Sequence, residues 1–252
     1  MVIGMIGAGN MARALARGWQ EPMLISDGGS GRAGTLAAEC SGRAVIDNAE
    51  LAASADVVVL CHKPGQLQAV ADQIAPHARA VISVLAATSL SALRAALPQA
   101  EVVRTMPNTA VEIRQGVTCV AADPGEQGSV AERARQLFER LGSVVVLPEH
   151  LMDVGTALSG VAPAYLALVA EAQIDAAIRH GLPGPQASEI ALGALAGSAA
   201  MLRARGGDTL AVRREVASPG GLTARGLDAL EHAGLRAAFA DAMATVLDGA
   251  RS

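Results

Sequence analysis

A glycine-rich junction near the start restricts this chain's fold more than any other stretch. The apolar run Val2–Ile6 leads into Gly7-Ala8-Gly9-Asn10-Met11-Ala12, and a helical pattern, Met11–Trp19, begins at once. In this G-x-G-x-x-A spacing the first glycine makes a tight turn. The second leaves the backbone uncovered, and the small Ala12 lets helix and strand pack closely. The same alternation continues downstream. Met23–Ser26, Asp56–Cys61, Ala80–Leu85, Val102–Arg104, Val117–Ala121 and Ser143–Leu147 read as strands, and Gly65–Ile74, Leu90–Leu97 and Gly128–Leu141 as helices. Strand–helix alternation predicts a parallel sheet covered on both faces, a Rossmann-type doubly wound α/β domain.

Strand signals stop near Pro148. The remainder of the chain reads as helices over Pro163–His180, Pro185–Arg205, Leu210–Val216, Ala224–Glu231 and Leu235–Asp248. Two domains are expected, 1–149 and an all-α domain over 150–252. The first long helix is apolar nearly all round at Tyr165, Leu166, Leu168 and Val169, and the second at Ile190, Leu192, Leu195 and Met201. Such helices require burial on more than one side. A domain of about a hundred residues does not readily bury both, so a homodimer through these helices is expected. Gly193 and Gly197 would allow close helix approach there, or ordinary packing within one subunit.

Composition narrows the partners. Aromatic residues make up 2% of the chain, too few for stacking platforms on single-stranded nucleic acid. The net charge of −4 leaves no basic footprint for nucleic acid of any kind. Cys40, Cys61 and Cys119 form no CxxC pair, so reduced thiols are expected and a metal site is not. The chain enters a strand at Val2 without a signal peptide, and its apolar stretch Ile190–Leu202 is too short to cross a bilayer. A cytoplasmic protein with no membrane partner is the expectation.

The Gly7–Met11 loop, opening a helix, matches a dinucleotide pyrophosphate site, where helix N–H groups and positive potential meet the phosphates. Asp27 ends the second strand roughly twenty residues after the first glycine, the spacing of the acid that binds the adenosine ribose diol. That favours NADH; Arg32, close by, would instead pair with the 2′-phosphate of NADPH. Lys63 is the only lysine, although Lys plus Arg total 20. It sits after the apolar run at the carboxyl end of a strand, where open α/β sheets bind ligands. A compact ammonium there is not interchangeable with an arginine fork.

Three further segments carry chemistry: Val103-Arg104-Thr105-Met106-Pro107-Asn108-Thr109, Ser159-Gly160-Val161-Ala162-Pro163-Ala164-Tyr165, and Ser218-Pro219-Gly220-Gly221-Leu222-Thr223. In the last, adjacent glycines before a helix expose N–H groups to an anion. Thr223 reads either as the N-cap of that helix or as a hydroxyl facing a ligand.

Together with the N-terminal loop, the Lys63-Pro64 pair and Ile82–Ala87, these segments resemble pyrroline-5-carboxylate reductase over essentially the whole chain. The resemblance implies a two-domain enzyme whose C-terminal helices interlock in a dimer, often assembled into larger rings. It implies NADPH or NADH as cofactor and hydride transfer to the C=N bond of 1-pyrroline-5-carboxylate, giving L-proline. On matched positions, Gly7, Ala8, Gly9, Asn10 and Met11 would hold the pyrophosphate, and Asn48 would lie beside the adenosine. His62, Lys63, Pro64, Leu85 and Ala86 would border the nicotinamide half. Ser218, Gly220, Gly221, Leu222 and Thr223 would form the substrate pocket, with Glu149 at its edge. Backbone N–H groups at 220–222 would anchor the carboxylate, and the Thr223 hydroxyl would bond the ring nitrogen. Thr223, Ser218 and Lys63 are the candidate catalytic residues.

The chain departs from the family pattern at several positions. Val161 replaces a serine, His62 a small or aliphatic residue, and Leu85-Ala86-Ala87 an Ala-Ala-Gly run. Asp27-Gly28 stands where members that use NADPH well often have Asn-Arg or Ser-Arg. A β-hydroxyacid dehydrogenase would require a lysine in the helical region, and none occurs after residue 63. A non-catalytic nucleotide-binding paralogue and a related cyclic-imine reductase are the other readings.

Overall fold

The computed structural model describes residues 1–122 and 129–251. It separates into two compact units, Met1–Pro163 with the C-terminal residues from Gly249, and Ala164–Asp248.

The first unit is built on eight strands: β1 (Ile3–Ile6), β2 (Met23–Ser26), β3 (Arg43–Ala44), β4 (Val57–Leu60), β5 (Ala80–Ser83), β6 (Glu101–Pro107), β7 (Gly116–Ala121) and β8 (Gly142–Leu147). They form one sheet in the order β3-β2-β1-β4-β5-β6-β7-β8. The order reverses between β1 and β4, the switch point at which such sheets open a crevice beyond their carboxyl ends. Ile6 pairs with Ser26 on one side and Leu60 on the other, so β1, β2 and β4 end level.

Parallel strands covered on both faces read as unbroken apolar runs, and Val57–Leu60 is buried throughout. Alternate residues supply opposite layers. Val57 and Val59 join Leu15, Trp19 and Phe138 on one face, while Val58 and Leu60 join Leu51, Ile74 and Leu93 on the other. The first layer is covered by α1 (Asn10–Trp19), α2 (Arg32–Glu39) and α6 (Ser129–Glu139), and the second by α3 (Asn48–Ser54), α4 (Leu67–Ile74) and α5 (Leu90–Ala96). Trp19 packs on Phe138 with ring centroids 5.7 Å apart and donates its indole N–H to the Leu137 carbonyl at 3.0 Å.

The expectation of a wholly parallel sheet needs one correction. β7 runs antiparallel to β6, and β8 is parallel to β7. The 108–115 connection is too short for the crossover of a dozen or more residues that a parallel neighbour requires. The edge strand β3, helices α2 and α3, and α7 (Met152–Ser159) add to the elements expected from sequence; each is short and gives weak periodicity. The expected helix Gly128–Leu141 is α6, and Gly128 itself lies outside the described residues.

The second unit is helical: most of α8 (Ala162–Arg179), then α9 (Gly184–Ala204), α10 (Thr209–Val216), α11 (Leu222–His232) and most of α12 (Leu235–Arg251). Leu166, Leu168, Ile190 and Leu192 are exposed within it. The run Glu149–Arg179 contains an 18-residue window apolar enough to cross a membrane by composition, with a mean hydropathy of 1.4 over that window. It is a longer apolar stretch than Ile190–Leu202.

Candidate active site

The crevice at the end of β1 is made by backbone. Gly7 adopts φ +112°, and a Cβ there would lie 2.5 Å from the Cys61 carbonyl carbon. Its N–H donates to the Ser26 carbonyl at 2.7 Å. Gly7 therefore lets the ends of β1, β2 and β4 close on one another. Gly9 is the N-cap of α1 and contributes no side-chain capping bond. A Cβ built on Gly9 meets nothing within 4 Å. The first N–H groups of α1 thus open onto clear space with the positive end of the helix behind them, which fits a dinucleotide pyrophosphate.

Residues 61–66 form the adjoining wall. Burial pushes the Cys61 thiol far up, so it is inert as a nucleophile. His62 Nδ1 lies 2.9 Å from the Lys63 carbonyl. A carbonyl only accepts, so Nδ1 carries the proton and Nε2 is the bare lone pair. Nε2 is buried without a partner. Burial lowers the His62 pKa, and the bond to Lys63 only partly opposes this. Lys63 is exposed and precedes a 3-10 turn, Pro64–Gln66. Its ammonium makes no ion pair among the described residues.

Asn48 is buried at the start of α3, and both ends of its amide are engaged. Its Oδ1 accepts from Ser26 Oγ at 2.5 Å, and its Nδ2 donates to Gln73 Oε1 at 2.6 Å. The Leu85 side chain is 1% exposed, within the core, so it would offer a ligand only backbone. Ala86 is exposed beside it. Ala87 holds φ +50°, a left-handed conformation unusual for a residue with a Cβ.

Asp27 caps its own loop. Its Oδ1 accepts from the N–H groups of Gly29 at 2.9 Å and Ser30 at 3.0 Å. Its Oδ2 accepts from Ser30 Oγ at 2.8 Å and the Ala33 N–H at 2.7 Å. Burial raises the Asp27 pKa, but these hydrogen bonds outweigh it and hold the carboxyl below its ordinary range.

Glu149 is tied into the first unit. Its Oε1 accepts from the Leu90 N–H at 2.8 Å and from Arg104 Nη1 at 2.9 Å. Arg104 Nη2 also donates to Asp153 at 2.7 Å. The Arg-Thr-Met-Pro-Asn-Thr segment is therefore scaffold: Arg104, Thr105 and Asn108 are all buried. Asn108 donates to the Ser159 carbonyl at 3.2 Å and accepts from the Val117 N–H at 3.2 Å. Sequence alone marks this segment without giving Arg104 or Asn108 a role, and it gives none to Ser30. The signal that could have found Arg104 is an arginine within an otherwise apolar strand.

In the second unit, Ser218–Gly221 is a tight turn in which the Gly221 N–H donates to the Ser218 carbonyl at 3.0 Å. A Cβ on Gly221 would lie 2.4 Å from Ser218 Oγ. Gly221, not Thr223, is the N-cap of α11, and no side chain caps this helix. The capping expectation for Thr223 is corrected, because the turn brings the helix start forward to Leu222. Thr223 is exposed, and its hydroxyl has no partner among the described residues. Leu222 is 86% exposed. Residues 218–223 thus combine an uncapped helix N-terminus with free hydroxyl and apolar side chains, a combination suited to a small anionic ring.

Residues 149–252 match the family model described as pyrroline-5-carboxylate reductase dimerisation. Residues 2–87 match one described as NADP oxidoreductase, coenzyme F420-dependent. Pyrroline-5-carboxylate reductase of Thermus thermophilus is 38% identical over 250 residues, spanning 96% of this chain and 95% of that protein. Pyrroline-5-carboxylate reductase 3 of Mus musculus is 33% identical over 256 residues, 96% of this chain and 92% of that protein. A pyrroline-5-carboxylate reductase structure from Coxiella burnetii aligns with a TM-score of 0.88 at 28% identity, covering 99% of this chain and 97% of that one. One from Plasmodium falciparum, solved with NADP bound, aligns with a TM-score of 0.86 at 25% identity, with coverage of 99% and 97%. A doubly wound domain with a dinucleotide loop, an all-helical region and relatives this similar over nearly full length place the chain in the pyrroline-5-carboxylate reductase family of NAD(P)-dependent oxidoreductases.

Proposed function

We propose that this chain reduces 1-pyrroline-5-carboxylate to L-proline, with cofactor held by the first unit and substrate by the second. The observation that carries this reading is a pair of uncapped helix starts, α1 behind Gly9 and α11 behind Gly221. Each offers N–H groups and positive potential to an anion, a pyrophosphate in one case and a carboxylate in the other.

The bound nicotinamide supplies the hydride. The chain's residues supply placement, which accounts for most of the rate when donor and acceptor carbons are held in line. The hydride would add to the carbon of the C=N bond, with the ring nitrogen either protonated beforehand or taking its proton from solvent. The N–H groups at 220–222 orient the carboxylate. The Thr223 hydroxyl bonds the ring nitrogen, and Ser218 holds the turn that presents them. Lys63, His62 and Pro64 border the dinucleotide, where the unpaired Lys63 ammonium balances phosphate charge. Glu149 acts through the Leu90 amide, fixing the end of the loop that carries Leu85 and Ala86.

The chain is a homo-oligomer by virtue of its dimerisation region. The exposed apolar faces of α8 and α9 support a homodimer as its unit and account for the apolar run Glu149–Arg179 without a membrane. A cytoplasmic enzyme of proline biosynthesis, capable of assembling dimers into rings, fits these properties. Purified protein is expected to oxidise NADPH or NADH only when 1-pyrroline-5-carboxylate is added. No turnover with either cofactor would leave the non-catalytic reading standing.

A further inference from the structure

We propose that Asp27 does not read the adenosine ribose diol but is a positioning residue that shapes the Gly28–Ala33 turn, so that Arg32 meets a 2′-phosphate and the chain selects NADPH over NADH. This rests on the reductase reading and adds the identity of the residues that discriminate between cofactors.

A carboxylate has about four lone-pair sites. Asp27 uses two on each oxygen for partners in its own loop, the N–H groups of Gly29, Ser30 and Ala33 and the Ser30 hydroxyl, at 2.7 to 3.0 Å. A ribose diol bound through both hydroxyls would have to displace two of them. The displaced groups would include N–H donors in a turn folded around this carboxylate. Gly28, Gly29 and Gly31 adopt φ values of +67°, +89° and +81° there, which curl the loop inward onto Asp27.

Ser30 connects the carboxylate to the arginine. Its hydroxyl donates to Asp27 Oδ2 at 2.8 Å and accepts from Arg32 Nε at 3.0 Å. That relay orients the guanidinium at the start of α2. The Nη1 and Nη2 groups of Arg32 have no partner among the described residues, and the side chain is exposed. They offer the paired N–H geometry that suits phosphate. The negative charge of Asp27, which would repel a 2′-phosphate if it faced outward, is enclosed by the donors of its own turn. The sequence alone places an acid and an arginine near the ribose; the hydrogen bonds assign them opposite roles.

The test is direct binding of NADPH and NADH to the purified chain without substrate, monitored by nicotinamide fluorescence, with kinetics run alongside. Wild type is expected to bind NADPH at least about tenfold more tightly, equivalent to about 1.4 kcal/mol. Arg32→Ala is expected to abolish the difference between the cofactors. Ser30→Ala and Asp27→Asn are expected to narrow it by weakening NADPH, since each breaks the relay. Equal wild-type affinities would overturn the proposal, as would a preference for NADH that Asp27→Asn removes, the signature of a diol reader. If neither cofactor is oxidised on adding 1-pyrroline-5-carboxylate, the reductase reading fails, while the binding arms still decide the role of Asp27.

Discussion

One oxygen of Glu149 accepts from both the buried Arg104 guanidinium and the Leu90 N–H, joining a mid-sheet strand to the start of α5. Arg104 is 4% exposed, whereas the Glu149 side chain is 30% exposed. Removing the acid therefore leaves a buried charge short of a partner. Glu149→Ala is expected to lower stability by about 2–3 kcal/mol, measured by urea denaturation. Glu149→Gln retains an oxygen for Leu90 and should lose less. Wild-type stability in Glu149→Ala would show that the pair does not tether α5.

Ala87 stands at φ +50°, in the left-handed region that favours glycine. Left-handed alanine is strained by roughly 1–2 kcal/mol, partly offset by the greater freedom of unfolded glycine. Ala87→Gly should stabilise the chain by about 0.5–1 kcal/mol, read as a raised denaturation midpoint with unchanged slope. A lowered midpoint would contradict the left-handed assignment.

Thr223 lies inside α11 and does not cap it. Thr223→Ala should leave stability within about 0.5 kcal/mol of wild type while reducing kcat about tenfold or more, since it removes the hydroxyl proposed to bond the ring nitrogen. Unchanged kcat and KM would remove Thr223 from the substrate site.

His62 titrates below its ordinary value of 6.5 because burial disfavours the charged ring. Between the folded and unfolded values the unfolded chain holds the extra proton, so stability rises with pH across that window. The penalty is absent above 6.5, grows as pH falls below it, and levels off once pH drops under the folded value. Urea midpoints measured between about pH 7 and pH 5 should fall in wild type and fall less in His62→Ala. Parallel curves would mean that the imidazole is not buried in solution.

Much of the site is legible in the sequence because its signals are local. Gly7 and Gly9 announce a turn whose geometry tolerates no larger side chain at residue 7, and the apolar run 57–60 announces a strand buried on both faces. Gly220-Gly221 announces an open helix start. Side chains whose role depends on distant partners are harder to read. Asp27 has the spacing of a ribose-binding acid, yet its hydrogen bonds close on its own loop. Thr223 has the chemistry of a cap, yet the preceding turn assigns that place to Gly221.

The sequence by itself determined the doubly wound domain, the helical region after it, the glycine turn at Gly7 and the open helix start behind Gly220-Gly221, because strand and helix periodicity and glycine spacing act within a few residues. Only the tertiary structure decided that β7 reverses direction and that Arg104 is a buried tether for Glu149 and Asp153. It likewise decided that the Asp27 carboxylate is taken up by donors of its own loop while Arg32 is exposed. Those outcomes depend on which groups meet across the fold and which donors remain unsatisfied, and pairing of that kind is a property of the packed chain rather than of any short stretch of it.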